Sequence, residues 1–117
     1  MESKGNSAEE IQAIYKAASA KLAKELFETI VSEIKQLASE GFCEYCYDKK
    51  IDSFGAELEL YKMLKNEGYV VYWQDDNDKK MYAKDYFTYS TFPPEFDEDS
   101  LCMTISWEPK SELMDLN

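Results

Sequence analysis

The sequence predicts a single α+β domain over residues 1–117. It is a two-layer sandwich in which a long N-terminal helix and a second helix pack on a small mixed sheet of three or four strands, in the order α-β-α-β-(β)-β. Three observations predict it. First, apolar residues recur at three- and four-residue spacing from Ile11 to Leu37, with no Pro or Gly between Ser7 and Gly41. Second, the phrase Leu-x-x-Glu-Gly-aromatic occurs twice, as Leu37–Phe42 and as Leu64–Tyr69. Each copy ends a helical pattern and opens a β-prone one. Third, Tyr69–Trp73 and Leu101–Trp107 are rich in β-branched and aromatic side chains.

Taken in order, Ser7 and Glu10 have the spacing of a capping box, which starts the first helix. Ile11, Ile14, Tyr15, Ala18, Leu22, Leu26, Ile30, Ile34 and Leu37 form one helical face, and an unbroken helix over 8–40 is ~50 Å long at 1.5 Å per residue. That exceeds what so small a body can cover, so the first turns project or the helix bends. Ala13, Ala17, Ala18, Ala20 and Ala23 make its upstream part thin, and a homo-oligomer through this helix is an expectation. Gly41 and Gly68 sit where a left-handed residue stops a helix, with Leu37 facing Phe42 and Leu64 facing Tyr69 as the apolar contact of a Schellman cap.

Phe42–Tyr47 alternates as a first strand, with Cys43, Tyr45 and Tyr47 on one face. Asp52 or Ser53 caps a second helix to Glu67, whose apolar face reads Phe54, Leu58, Tyr61 and Leu64, and Gly55 in its first turn is a small cost. Strand Tyr69–Trp73 runs parallel to the first through a helical crossover. Asp75-Asp76-Asn77-Asp78 is a turn, Met81–Tyr89 an irregular strand, and Glu95–Asp99 an acidic loop after Pro93-Pro94. The last strand points Leu101, Met103, Ile105 and Trp107 at the core, and Leu113, Met114 and Leu116 form a loose final turn.

Composition narrows function. The net charge is −11, and the acids concentrate downstream: residues 1–40 hold 7 acids and 5 Lys, 41–75 hold 7 and 4, and 76–117 hold 10 and 4. Such a chain repels nucleic-acid backbone and anionic lipid and attracts basic surfaces, so no direct nucleic-acid or membrane partner is expected. There is no His, and all 13 basic residues are Lys. The commonest general acid/base and metal ligand is thus missing, as is the bidentate phosphate fork. Four glycines without a cluster make no phosphate-cradling loop. The sequence reads as non-enzymatic, with no cofactor.

No apolar run approaches a membrane span, and no signal-peptide pattern is present, so Cys43, Cys46 and Cys102 are expected in the cytosol as reduced thiols. Cys43-x-x-Cys46 on a strand points its thiols to opposite faces and cannot grip one ion. Calcium-loop frames starting at Asp75 and at Glu95 both fail: Lys80 and Ser100 stand where Gly is required, and Tyr86 and Ser106 where the closing Glu is required. No metal is expected.

What remains is an aromatic patch rimmed with acids: Asp75, Asp76, Asp78, Tyr86, Tyr89, Phe92, Glu95, Asp97, Glu98 and Asp99. A basic protein is the partner such a surface fits. The two cap phrases, with Tyr69-Val70-Val71 and the late Thr104-Ile105-Ser106-Trp107, resemble small accessory proteins of bacteriophages over about residues 26–73 and 101–107. The stretch Asp75–Ser100 is longer than in that pattern. The resemblance implies a role in the host cytosol as an antagonist of a host defence protein, either as a nucleic-acid mimic or as a sponge for a nucleotide-like signal. A sponge needs a pocket between the long helix and the sheet lined by Tyr and Lys, with Lys79, Lys80 or Lys84 for phosphate. A virion or assembly component built on the long helix is the further alternative.

Overall fold

The structure, a computed structural model, describes residues 7–88 and 93–109. The elements are α1 (Ala8–Ser39), β1 (Glu44–Tyr47), α2 (Phe54–Asn66), β2 (Val70–Gln74), β3 (Lys80–Tyr82), α3 (Ala83–Tyr86) and β4 (Cys102–Ser106), with one 3-10 turn at Glu98–Ser100 before β4. Two helices on one face of a four-stranded sheet give the α+β sandwich that the sequence predicts.

Both cap phrases fold alike. Phe42 N–H donates to Leu37 O (3.0 Å) and Gly41 N–H to Ala38 O (3.0 Å); Tyr69 N–H donates to Leu64 O (3.2 Å) and Gly68 N–H to Lys65 O (3.0 Å). This is the paired bonding of the Schellman motif. Gly41 and Gly68 have φ of +93° and +97°, which an L side chain rarely adopts. Ser7 and Ser53 cap α1 and α2 by accepting from Glu10 N–H (3.1 Å) and Ala56 N–H (3.2 Å).

The sheet order is β1-β4-β2-β3, and every pairing is antiparallel, which corrects the expected mixed sheet. β1 and β2 do run in the same direction, but β4 lies between them and pairs with both. Trp107 completes this clasp: its N–H donates to Cys43 O (2.9 Å) and its Nε1 to Phe42 O (3.0 Å). The irregular strand expected over Met81–Tyr89 is only three residues of β3, followed by one helical turn. Lys84 and Asp85 break the alternation there, and the turn swings Tyr86 and Phe87 back over β2.

Strand alternation sorts the side chains. Val71, Trp73, Met81, Met103 and Ile105 point at the helices and are buried. The opposite face carries Tyr72, Thr104, Lys80 and Tyr82, with Lys80 Nζ 4.7 Å from the Tyr72 ring centroid. Cys46 stands opposite Thr104 and Cys102 two residues before it, so both sulfurs lie on this face, where they form a disulfide with Cα atoms 6.4 Å apart. The expectation of three reduced thiols is therefore corrected: Cys43 is the free one.

Two helix faces also differ from expectation. α2 buries Ala56, Leu60 and Leu64, whereas Phe54 is 56% exposed. α1 does not carry a single face. Its buried side is Ser19, Ala23, Ile30 and Ile34, and none of residues 8–18 is buried. Gly55 explains where packing begins. A Cβ there would sit 2.5 Å from Tyr15 Oη and 2.7 Å from Ser19 Oγ, so any larger residue would have to push these two side chains aside for α2 to start against α1. The turns of α1 before Tyr15 lie beyond that contact.

Candidate functional site

The acidic third of the chain is organised by one carboxylate that faces inward. Asp75, just after β2, accepts from Asn77 N–H (2.9 Å) and Lys79 N–H (2.9 Å) on Oδ1 and from Asp97 N–H (3.1 Å) on Oδ2. Ser100 Oγ accepts from Asp76 N–H (3.0 Å) alongside. The turn 75–79, in which Asp78 takes φ +62°, is thereby tied to the loop before β4. Burial alone would raise the Asp75 pKa, but three backbone donors and the Lys79 charge outweigh it and hold the carboxyl below its ordinary value. Asp97 is likewise engaged: its Oδ1 accepts from Asp99 N–H (3.2 Å) and caps the 3-10 turn. Asp75 is buried and structural, which corrects its place in the expected surface, whereas Asp97 caps the turn with its side chain exposed.

The tie holds Glu98 and Asp99 at the mouth of a cleft of about 230 Å³. Its walls come from the end of β1 and the loop after it (Tyr47, Asp48, Lys49, Lys50), and from Met103 on β4; its floor is Glu57, Trp73 and Tyr86. Trp73 and Tyr86 stack with ring centroids 4.0 Å apart and planes 7° from parallel, and Phe87 closes edge-on against both at 5.1 Å. Glu57, in the first turn of α2, accepts from Trp73 Nε1 (3.1 Å) on Oε2 and from Tyr86 Oη at 2.9 and 3.1 Å on its two oxygens. Burial raises the Glu57 pKa, and these two donors offset part of the rise. Burial, followed by the Glu57 charge, likewise raises the Tyr86 hydroxyl. A carboxylate with a perturbed pKa in a cleft marks a candidate site on physical grounds.

Of the residues expected from sequence, Tyr86, Glu98 and Asp99 come together here. Asp76 and Asp78 lie on the neighbouring turn, and Glu95 is exposed outside the cleft. Tyr89 and Phe92 lie outside the described residues, as does the final turn expected around Leu113. Sequence reasoning missed Glu57, Trp73, Tyr47, Asp48, Lys49 and Lys50. One signal was present: Glu57 stands one turn before Leu60 and Tyr61, an acid adjoining the apolar side of α2.

A carboxylate offers about four acceptor positions, and Trp73 and Tyr86 occupy only part of them. The cleft carries four acids (Asp48, Glu57, Glu98, Asp99) against two lysines, so its field favours a cation. Among the described residues no cluster of His, Cys, Asp or Glu has metal-binding geometry, and no helix is long and apolar enough to cross a membrane. Comparison of the chain with family models, curated proteins and solved structures finds no match.

Proposed function

We propose that this chain is a non-enzymatic interaction protein that binds a basic partner protein through the acidic, aromatic cleft and covers the partner's basic surface. The observation that carries the reading is the convergence of Glu98 and Asp99, from the acidic loop, with Glu57 in its aromatic seat. A lysine or arginine of the partner is the group this geometry suits. Its aliphatic stem lies along Tyr47 and Met103 and its charge meets Glu57, while Asp48, Glu98 and Asp99 steer the approach. The resemblance to phage accessory proteins extends the reading to a host defence protein, with the acidic mouth standing in for phosphates.

The sponge reading is weaker. A volume of about 230 Å³ lies below the ~300–1,000 Å³ typical of small-molecule and cofactor sites. Lys79, Lys80 and Lys84, needed there for phosphate, do not line the cleft, and Lys80 lies over Tyr72 on the other sheet face.

The test is a titration with a lysine-rich peptide, followed by NMR of the Trp73 indole N–H. The expected result is a saturable shift that weakens with salt and weakens several-fold in a Glu98→Gln/Asp99→Asn variant of unchanged fold. A Trp73 signal that stays still while the peptide binds elsewhere, or equal binding by the variant, overturns the proposal.

A further inference from the structure

We infer that the upstream half of α1 is a self-association surface on which two copies of the chain pair antiparallel. Among the described residues eight large hydrophobic side chains are exposed, and four of them (Ile11 51%, Ile14 61%, Tyr15 49%, Leu22 38%) fall within twelve residues of one helix. At ~100° per residue, Ile11, Ile14, Ala18 and Leu22 share one longitude of α1. The face that packs on α2 and the sheet, through Ser19, Ala23, Ile30 and Ile34, lies about a third of a turn away. Further along the helix the exposed longitude continues through Glu25, Thr29, Ser32 and Gln36, all polar and exposed. The apolar stripe thus runs from the turns before Tyr15 to Leu22, past and alongside the α2 contact at Gly55, and gives way to polar residues from Glu25 on.

Charge identifies the occupant. Residues 8–24 carry three Lys against two Glu, net +1, whereas the rest of the chain carries ten Lys against 22 acids, net −12. A second copy is repelled by most of this molecule but not by this segment. Within it the acids stand first (Glu9, Glu10) and two of the lysines last (Lys21, Lys24). Antiparallel pairing about a twofold axis near residues 16 and 17 sets the acids of one copy beside the lysines of the other. It also brings Glu25 toward the positive N-terminal end of the partner helix. Parallel pairing would set acid on acid and lysine on lysine. Ala18, small and central, lets the two helices approach closely.

The overlap is ~27 Å long and ~10 Å wide, smaller than a standard interface, so the dimer is weak and concentration-dependent. Light scattering across protein concentration tests it. The expected result is a mass that rises from 13.6 kDa toward twice that value. In an Ile14→Asp/Leu22→Asp variant the midpoint should move at least tenfold higher while circular dichroism and Tm stay put, because both side chains are exposed in the monomer. Orientation is read with a short bis-maleimide in a Cys43→Ser background. Chains carrying Ile11→Cys should cross-link to chains carrying Leu22→Cys in preference to themselves. A mass that stays monomeric up to ~500 µM, well above the range of a weak specific interface, overturns the inference. Undiminished dimerisation by the Asp variant does so as well, and self-linking of Ile11→Cys chains overturns the antiparallel arrangement.

Discussion

Asp75 and Glu57 are two inward-facing carboxylates on either side of Trp73, and their protons are held in opposite ways. Asp75 is two residues after Trp73 in sequence, and Glu57 accepts from the Trp73 indole. Around Asp75 the donors are backbone N–H groups fixed by a turn, and they hold the charged form below its ordinary pKa. Around Glu57 the donors are side chains of an aromatic stack, too few to offset burial. Backbone donors belong to the fold and cannot leave it. Side-chain donors leave lone pairs and space for something else. The first carboxylate is committed to architecture and the second is open to a ligand.

The comparison breaks most severely at Asp75. Asp75→Ala strands three backbone donors and unties the loop 93–100, so Tm should fall by about 10 °C or more, with faster amide exchange at Asp97. The pH dependence follows the lowered pKa. Asp75 stabilises the fold above its unfolded pKa, and that contribution is lost as pH falls through the folded value. A wild-type acid-unfolding midpoint no different from that of Asp75→Ala would sink the structural assignment.

Glu57→Ala should cost about 1–3 kcal/mol, because Trp73 Nε1 and Tyr86 Oη lose their acceptor, as read by urea unfolding. Glu57→Gln sharpens the contrast through its sign. A raised folded pKa means that the unfolded chain ionises first, so the stability of the wild type relative to Glu57→Gln is greatest below the unfolded pKa and declines as pH rises through the folded value. The same pair compared at acid and neutral pH gives the answer, and a difference that grows with pH would contradict the burial of Glu57.

Tyr86→Phe keeps the stack and removes one donor. It should cost about 1 kcal/mol and move the Glu57 pKa further up, as followed by NMR of the carboxyl carbon. Smallest of all is Glu98→Gln/Asp99→Asn, expected within about 0.5 kcal/mol of the parent in stability, because both side chains are exposed at the cleft mouth.

Local codes were legible in the sequence and long-range ones were not. The two glycine caps, both serine caps and the core strand pattern Met103-x-Ile105 are written in neighbouring residues, and all of them hold. The place of β4 between β1 and β2 is not, since no local signal distinguishes a strand that pairs on both edges. Gly55 read as a weak helix residue because its partner, Tyr15, is forty residues upstream. The apolar run of α1 read as one face because a periodic pattern does not report that its two halves look in different directions. At the site, Glu98, Asp99 and Tyr86 were legible as acidic and aromatic composition. Glu57 was not, since its meaning depends on Trp73 and Tyr86 arriving from other elements.

The Cys46–Cys102 bond makes a covalent ring of everything from the end of β1 to the start of β4, a sequence separation of 56. α2, the Asp75 turn, α3 and the acidic loop are all inside that ring, and α1 hangs from it as a tail. A lysine-directed protease that nicks the exposed Lys79-Lys80 pair would therefore open the ring without parting the molecule. The nicked chain should keep its intact mass, plus one water, until a reductant is added. A protease that scores this surface would still leave the cleft's two sides joined.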